Sequence, residues 1–168
     1  MALTKVSSKV TKSSQWGGDY IKLSDTKATG TAGGSSIAGT QTRALTTKDV
    51  DTGNICTLNV PSKQFTLPAG TYRIKASAPS FRSGTHKAIL YNVSDLSNVI
   101  IGESAYTNSA VDTPVTKSDV IGQFVIGSEK TFEIRHYTQI IKTVDGLGIA
   151  TSDGTAEVYT VVELWKID

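Results

Sequence analysis

The stretch from Gln64 to Ala78, reading Gln-Phe-Thr-Leu-Pro-Ala-Gly-Thr-Tyr-Arg-Ile-Lys-Ala-Ser-Ala, restricts this chain to one kind of architecture. From Tyr72 onward, Tyr72, Ile74, Ala76 and Ala78 alternate with Thr71, Arg73, Lys75 and Ser77. Successive side chains of a strand point to opposite faces, so a period of two puts one face in a core and the other in water. Pro68 holds φ near the value required at the first central position of a turn, and Gly70 has the backbone freedom to reverse the chain. Strand, sharp turn and second strand make an antiparallel signature. It predicts an all-β protein, a class that builds binding and structural surfaces more readily than catalytic sites.

Short alternating runs parted by Gly, Asn, Asp, Ser and Pro recur along the chain, and helical periodicity is nearly absent. Strands are expected at residues 20–23, 41–45, 55–60, 64–67, 71–78, 87–92, 99–103, 119–126, 131–138 and 157–166. About ten antiparallel strands at this spacing imply two packed sheets, a sandwich or jelly roll. A length of 168 residues supplies one domain with a proper core. The chain divides into an N-terminal arm, residues 1–19, and a β-sandwich domain, residues 20–168.

The final strand departs from simple alternation. Val158, Val162 and Leu164 fall on one face, and Tyr159, Val161 and Trp165 on the other. A sheet of a two-layer sandwich offers only one face to the core, so the second apolar face is expected to meet another subunit. Cover by a loop or by the N-terminal segment is the alternative. The small-residue stretch 28–39 reads as a loop, and no Lys follows its glycines as a phosphate-binding loop would need.

Seventeen Lys and Arg against fifteen Asp and Glu leave a formal charge of +2, too little to recruit nucleic acid or an anionic membrane. Residues 1–10 lack the apolar run of a secretory leader, and no window approaches the ~20 apolar residues of a membrane span. The one cysteine, Cys56, sits in an apolar run and is expected in the core.

Catalytic and metal chemistry find little support. His86 and His136 lie in separate segments without zinc-ligand spacing, and His136 shares the phase of Phe132 and Ile134, marking a core or interface position. A loop calcium site using Asp49, Asp51, Asp145 or Asp153 stays open, because oxygen ligands need no fixed spacing. There is no Gly-x-Ser-x-Gly elbow, and Glu103, Glu133, Glu157 and Glu163 read as solvated or rim positions. Neither an enzyme nor a cofactor is expected. Asn92-Val93-Ser94 fits a glycosylation triplet. Arg82, His86, Tyr106, Asn108, Tyr137 and Lys142 lie in or beside predicted loops and are of the types that stack on sugars and bond their hydroxyls; ordinary solvated loop residues are the other reading.

Phe65-Thr66-Leu67-Pro68-Ala69-Gly70-Thr71-Tyr72, the run from His86 to Val93, Phe132-Glu133-Ile134-Arg135-His136 and the closing run from Thr155 to Lys166 resemble C-terminal domains of bacteriophage tail-fibre and related virion proteins. Phe-x-x-Pro-x-Gly-x-Tyr with a terminal apolar strand also looks like the jelly roll of tumour necrosis factor and the complement globular head. The resemblance implies a ten-stranded jelly roll associating as a homotrimer, with Tyr159, Val161, Trp165 and His136 at the subunit contacts. It implies a virion protein made in the host cytoplasm, with no nucleic-acid or membrane partner. As a tail-fibre or receptor-binding protein it would contact host glycans through loops around residues 80–86, 104–114 and 142–154. As a capsid decoration protein it would be pinned to the shell, and to other virion proteins, by the arm through Lys5, Val6, Val10 and Trp16. No collagen repeat, coiled-coil heptad or fibrous shaft precedes the domain.

Overall fold

A computed structural model describes residues 18–110 and 113–168, so the docking positions Lys5, Val6, Val10 and Trp16 lie outside the described residues. Eleven strands occur among the described residues: β1 (Asp19–Lys27), β2 (Gly39–Thr42), β3 (Thr47–Asp51), β4 (Thr57–Asn59), β5 (Gln64–Leu67), β6 (Gly70–Ser80), β7 (Gly84–Asn92), β8 (Ser97–Thr107), β9 (Thr116–Ile126), β10 (Lys130–Thr138) and β11 (Glu157–Lys166). The first sheet runs β3-β1-β11-β6-β9, the second β4-β5-β10-β7-β8 with β2 also paired to β10, and every pairing is antiparallel. This is the expected jelly-roll sandwich. The unexpected strand is β3, Thr-Lys-Asp-Val-Asp, which pairs only with β1 at a sheet edge and has one apolar side chain, so its sequence carries no period.

The alternation of β6 holds in three dimensions: Tyr72, Ile74, Ala76 and Ala78 are buried among the inward residues of both sheets. Tyr72 also bonds back to the turn, its hydroxyl donating to the Pro68 carbonyl at 2.9 Å. Around it the rings of Phe124, Phe132 and Phe65 form a chain, with centroids 5.5 Å apart for Tyr72–Phe124, 5.4 Å for Phe124–Phe132 and 5.8 Å for Phe65–Phe132. Burying each such ring stabilises the fold by about 2–3 kcal/mol.

A bulge interrupts the β7–β8 register between Lys87 and Ile89, and the Ala88 N–H it frees donates to Ser118 Oγ on β9 at 2.8 Å. Ser118 in turn donates to the Glu103 carbonyl at 2.6 Å. One hydroxyl therefore satisfies the bulge and ties the edges of the two sheets together. The strand order brings the loops 28–38, 81–83 and 139–156, and the loop residues 108–110 and 113–115, to one end of the sandwich. The sharp turns and the first and last strand ends, Asp19 and Lys166, occupy the other.

Candidate functional site

Beneath the four loops the interior is polar. Arg43 follows β2 and is fully buried; its Nε donates to Thr160 Oγ1 at 2.7 Å, and its terminal nitrogens donate to the carbonyls of Pro79 at 3.3 Å and Leu147 at 3.0 Å. These bonds join β2, β6, β11 and the 139–156 loop. Burial pushes the guanidinium down to about 10, against the raising effect of Asp25, and it stays charged at neutral pH. Asp25 is buried as well, with Lys27 Nζ 3.8 Å from one oxygen and no hydrogen-bond partner for the other. Desolvation raises its carboxyl, and Lys27, Arg43 and Lys63 lower it.

His86 and His136 belong to the same polar end. Their rings meet edge-on, with Nδ1 of His86 3.0 Å from Nε2 of His136, and Nε2 of His86 lies 2.8 Å from Thr116 Oγ1. The tautomers follow from the hydroxyl: Thr116 has one proton and donates it to the Tyr106 carbonyl at 3.1 Å, so it accepts from His86 Nε2–H. His86 Nδ1 is then an acceptor for His136 Nε2–H, and His136 Nδ1 is left without a partner. Both rings are neutral. Burial and the nearby Arg43 charge push His86 down to about 4 and His136 lower than its ordinary value too.

These placements correct several expectations. His136, expected at a subunit contact, is 0% exposed inside the sandwich, and His86, expected to reach a ligand, is 2% exposed with its ring turned inward. Tyr159, also expected at the contact, is covered by its own chain: its hydroxyl donates to the Thr31 carbonyl at 2.7 Å and Gly148 lies across its ring. A Cβ on Gly148 would sit 2.3 Å from Tyr159 Cδ1, so the loop passes this close only because the residue is glycine. Glu133 and Glu157 are buried too. Glu157 accepts N–H groups of Thr151, Ser152 and Gly30, which hold its carboxyl below the ordinary range; Glu133 pairs with Arg135 at 2.7 Å. Val158, assigned to the inward phase of β11, is 53% exposed because a bulge shifts the β1–β11 register between Ser24 and Thr26, setting three residues of β11 against two of β1 and reversing the phase of the strand's first residues.

Two outward surfaces remain. On the first sheet, Trp165 lies beside Tyr20 with ring centroids 5.3 Å apart, Val161 is half-buried, and Ile121 and Val125 on β9 are exposed. The Tyr20 hydroxyl donates to Glu163 at 2.6 Å, and burial raises that phenol to about 12. Lys22, Arg73 and Lys75 stand in the same outward rows, so the face mixes apolar area with charge.

The second sheet carries a groove of about 400 Å³ lined by Thr85, Lys87, Ile89, Ser104, Ala105 and Tyr137 around His86. Tyr137, Lys87 and Ser104 stand in one cross-strand row, and Thr85 pairs with Tyr106 in the next. The structure thus brings Tyr106 and Tyr137 to one surface. Arg82 donates from Nε to the Ser109 carbonyl at 3.1 Å, tying its loop to the one after β8, while Asn108, accepting the Ala110 N–H at 2.9 Å, and Lys142, paired with Asp145 at 2.8 Å, each serve their own loop. Asp51 and Asp153 are similarly engaged, by the Ile55 and Cys56 N–H groups and by Thr155. Alternation alone marks Lys87 only as an outward strand residue. Its phase match with Tyr137 across a strand pair was the missing signal.

No protein-family model and no curated protein matches the chain. Among solved structures, the crystal structure of murine APRIL at pH 8.0 is similar with a TM-score of 0.57, covering 88% of this chain and 98% of that one at 7% sequence identity. The structure of murine APRIL at pH 8.5 gives a TM-score of 0.55 with the same identity and coverage. At this identity the likeness is one of fold. It bears out the tumour-necrosis-factor-like jelly roll expected from the Phe65–Tyr72 turn and the terminal strand.

Proposed function

We propose that this chain is a non-enzymatic homotrimeric surface protein of a bacteriophage virion, of the receptor-binding type, whose outward loops and second-sheet face meet host glycans. Residues 1–17 would link it to other virion proteins. The observation that carries the trimer is the outward face of the first sheet, where Trp165, Val161, Ile121 and Val125 keep apolar area in water although the sandwich core is already complete without them. The interior placement of both histidines supports a role without catalysis, since neither ring is open to a bound substrate. The virion setting rests on the resemblance carried by the Phe65–Tyr72, Phe132–His136 and Thr155–Lys166 segments.

Sedimentation equilibrium at micromolar concentration tests the assembly. The expected species is a trimer, and Trp165→Ala shifts it toward monomer by on the order of 3 kcal/mol per buried site. A monomer at that concentration, or a trimer indifferent to both Trp165→Ala and Ile121→Asp, would defeat the proposal.

A further inference from the structure

We propose that the groove on the second sheet is a subsite for a carboxylated sugar residue, held through Tyr137 and Lys87. This deepens the glycan-contacting role proposed above and rests on it. Tyr137 is 43% exposed and Tyr106 is 58% exposed, on strands β10 and β8 with β7 between them. Two strand spacings, on the order of 10 Å, separate their strands. Between them the floor is small or aliphatic, made by Ser104, Ala105 and Ile89, with the Thr85 hydroxyl at the rim. A pyranose presents C–H groups on one face and hydroxyls around its edge, and a tyrosine wall beside serine and threonine hydroxyls matches both.

The charge selects the acidic sugar. Lys87, Lys130 and Arg135 are the lysine and arginine side chains on the strands of this sheet. Arg135 pairs with Glu133 and lies over the Tyr91 ring at 3.2 Å, and Lys130 pairs with Asp95. Among the described residues no carboxylate forms an ion pair with Lys87. An unpaired ammonium on an apolar floor favours an anion there, where the salt link is less hydrated than on open surface. Size separates the sugar from a protein partner. A cavity of about 400 Å³ suits one ring-sized ligand, whereas a stable protein interface needs about 800 Å² from each side.

The test titrates methyl β-D-glucuronide and methyl β-D-glucoside, which differ only at C6, into the full chain. Calorimetry and ligand-observed NMR read the binding, and sedimentation and thermal melting are recorded on the same samples. The glucuronide is expected to bind at least about fivefold more tightly, with the preference falling as salt rises. Lys87→Met abolishes the preference, Lys87→Arg retains it, and Tyr137→Ala weakens both ligands by roughly tenfold with the fold intact. Equal affinities, a preference that survives Lys87→Met, or no binding of either glycoside would overturn the subsite. So would a glutamate tripeptide that binds in a Lys87-dependent way while the glucuronide does not, since it would assign the groove to an acidic peptide. A monomer that binds the glucuronide sinks the trimer and leaves the subsite standing; a trimer that binds neither glycoside does the reverse.

Discussion

The two ends of the sandwich interior are filled with different chemistry. At the end bearing the sharp turns, Phe65, Tyr72, Phe124, Phe132, Ile126 and Leu164 pack as an aromatic and aliphatic core. At the loop end, the same strands bury Asp25, Ser80, His86, Ser118, His136, Thr138 and Thr160, with Arg43 between the sheets. The apolar end draws stability from area removed from water and tolerates imprecise partners. The polar end gains little net energy, because each buried bond replaces one to water, but any bond left unmade costs its full desolvation. One end supplies the stability of the fold. The other specifies how the loops above it are seated, through bonds that reach from Arg43 to β6, β11 and the 139–156 loop.

The sharpest way to break this contrast is to remove Arg43. Arg43→Met nearly keeps the volume but strands the Thr160 hydroxyl and the carbonyls of Pro79 and Leu147, and takes away one of the positive charges that act on buried Asp25. The expected loss is about 3 kcal/mol by urea denaturation. Adding Asp25→Asn should recover part of it, since the carboxylate then no longer needs a countercharge. If Arg43→Met costs under about 1 kcal/mol, the loop end is held by something other than its polar network.

Between pH 6.5 and 4 acid acts chiefly on the loop end, where both histidines lie. The unfolded chain protonates its histidines near 6.5, whereas burial holds His86 to about 4 and His136 below its ordinary value. Between these limits the unfolded state binds more protons, so stability rises with pH and is lost as pH falls from 6.5 toward 4. Asp25, with its carboxyl raised, works in the opposite sense and softens the loss at the acid end of that window. Asp51, Asp153, Glu157 and Asp168, held low by hydrogen bonds and charge, add their losses only below the ordinary carboxylate range. Urea midpoints measured from pH 7 to pH 4.5 should fall by the equivalent of a few kcal/mol, and His136→Gln should flatten the slope. A midpoint independent of pH across that range would mean that the rings reach solvent.

Much of this division was legible in the strand phases and was obscured by reading polar residues one at a time. His86 continues the buried phase of Ala88 and Leu90, Ser118 that of Val120, and Thr160 that of Val162 and Leu164. His136 shares the buried phase of Phe132 and Ile134, and the same rule extended to its neighbours predicts a polar end. Glu157 could not be found this way, because its partners are N–H groups of loops brought together only by the fold. The dry outer face of β11 was legible as composition, yet its Tyr159 part is closed by Gly148 and Thr31, over ten and over a hundred residues away in sequence. Edge strand β3 left no trace because a strand paired on one side needs no apolar period.

The smallest effect compares turns at the two ends. Asn54, Lys63 and Leu96 at the apolar end and Val144 at the loop end all have positive φ, and Val144, at 72°, is β-branched. Its side chain is 70% exposed, so contacts do not explain the conformation. The backbone does: the Val144 N–H donates to Ser35 Oγ at 2.9 Å and its carbonyl accepts the Gly34 N–H at 3.1 Å, pinning the turn to the 28–38 loop. The strain of a β-branched residue in the left-handed region is about 1–2 kcal/mol. Val144→Asn relieves part of it while keeping both backbone bonds, and the expected gain is about 0.5–1 kcal/mol in thermal or urea unfolding. Leu96→Asn, at φ 52° on the opposite end, should gain less because leucine is unbranched at Cβ. Equal gains would show that the loop end stores no more strain than the turns it faces across the sandwich. A loss at Val144 would mean that its exposed methyls meet a partner, which would place a contact surface on the 139–156 loop beside the second-sheet groove.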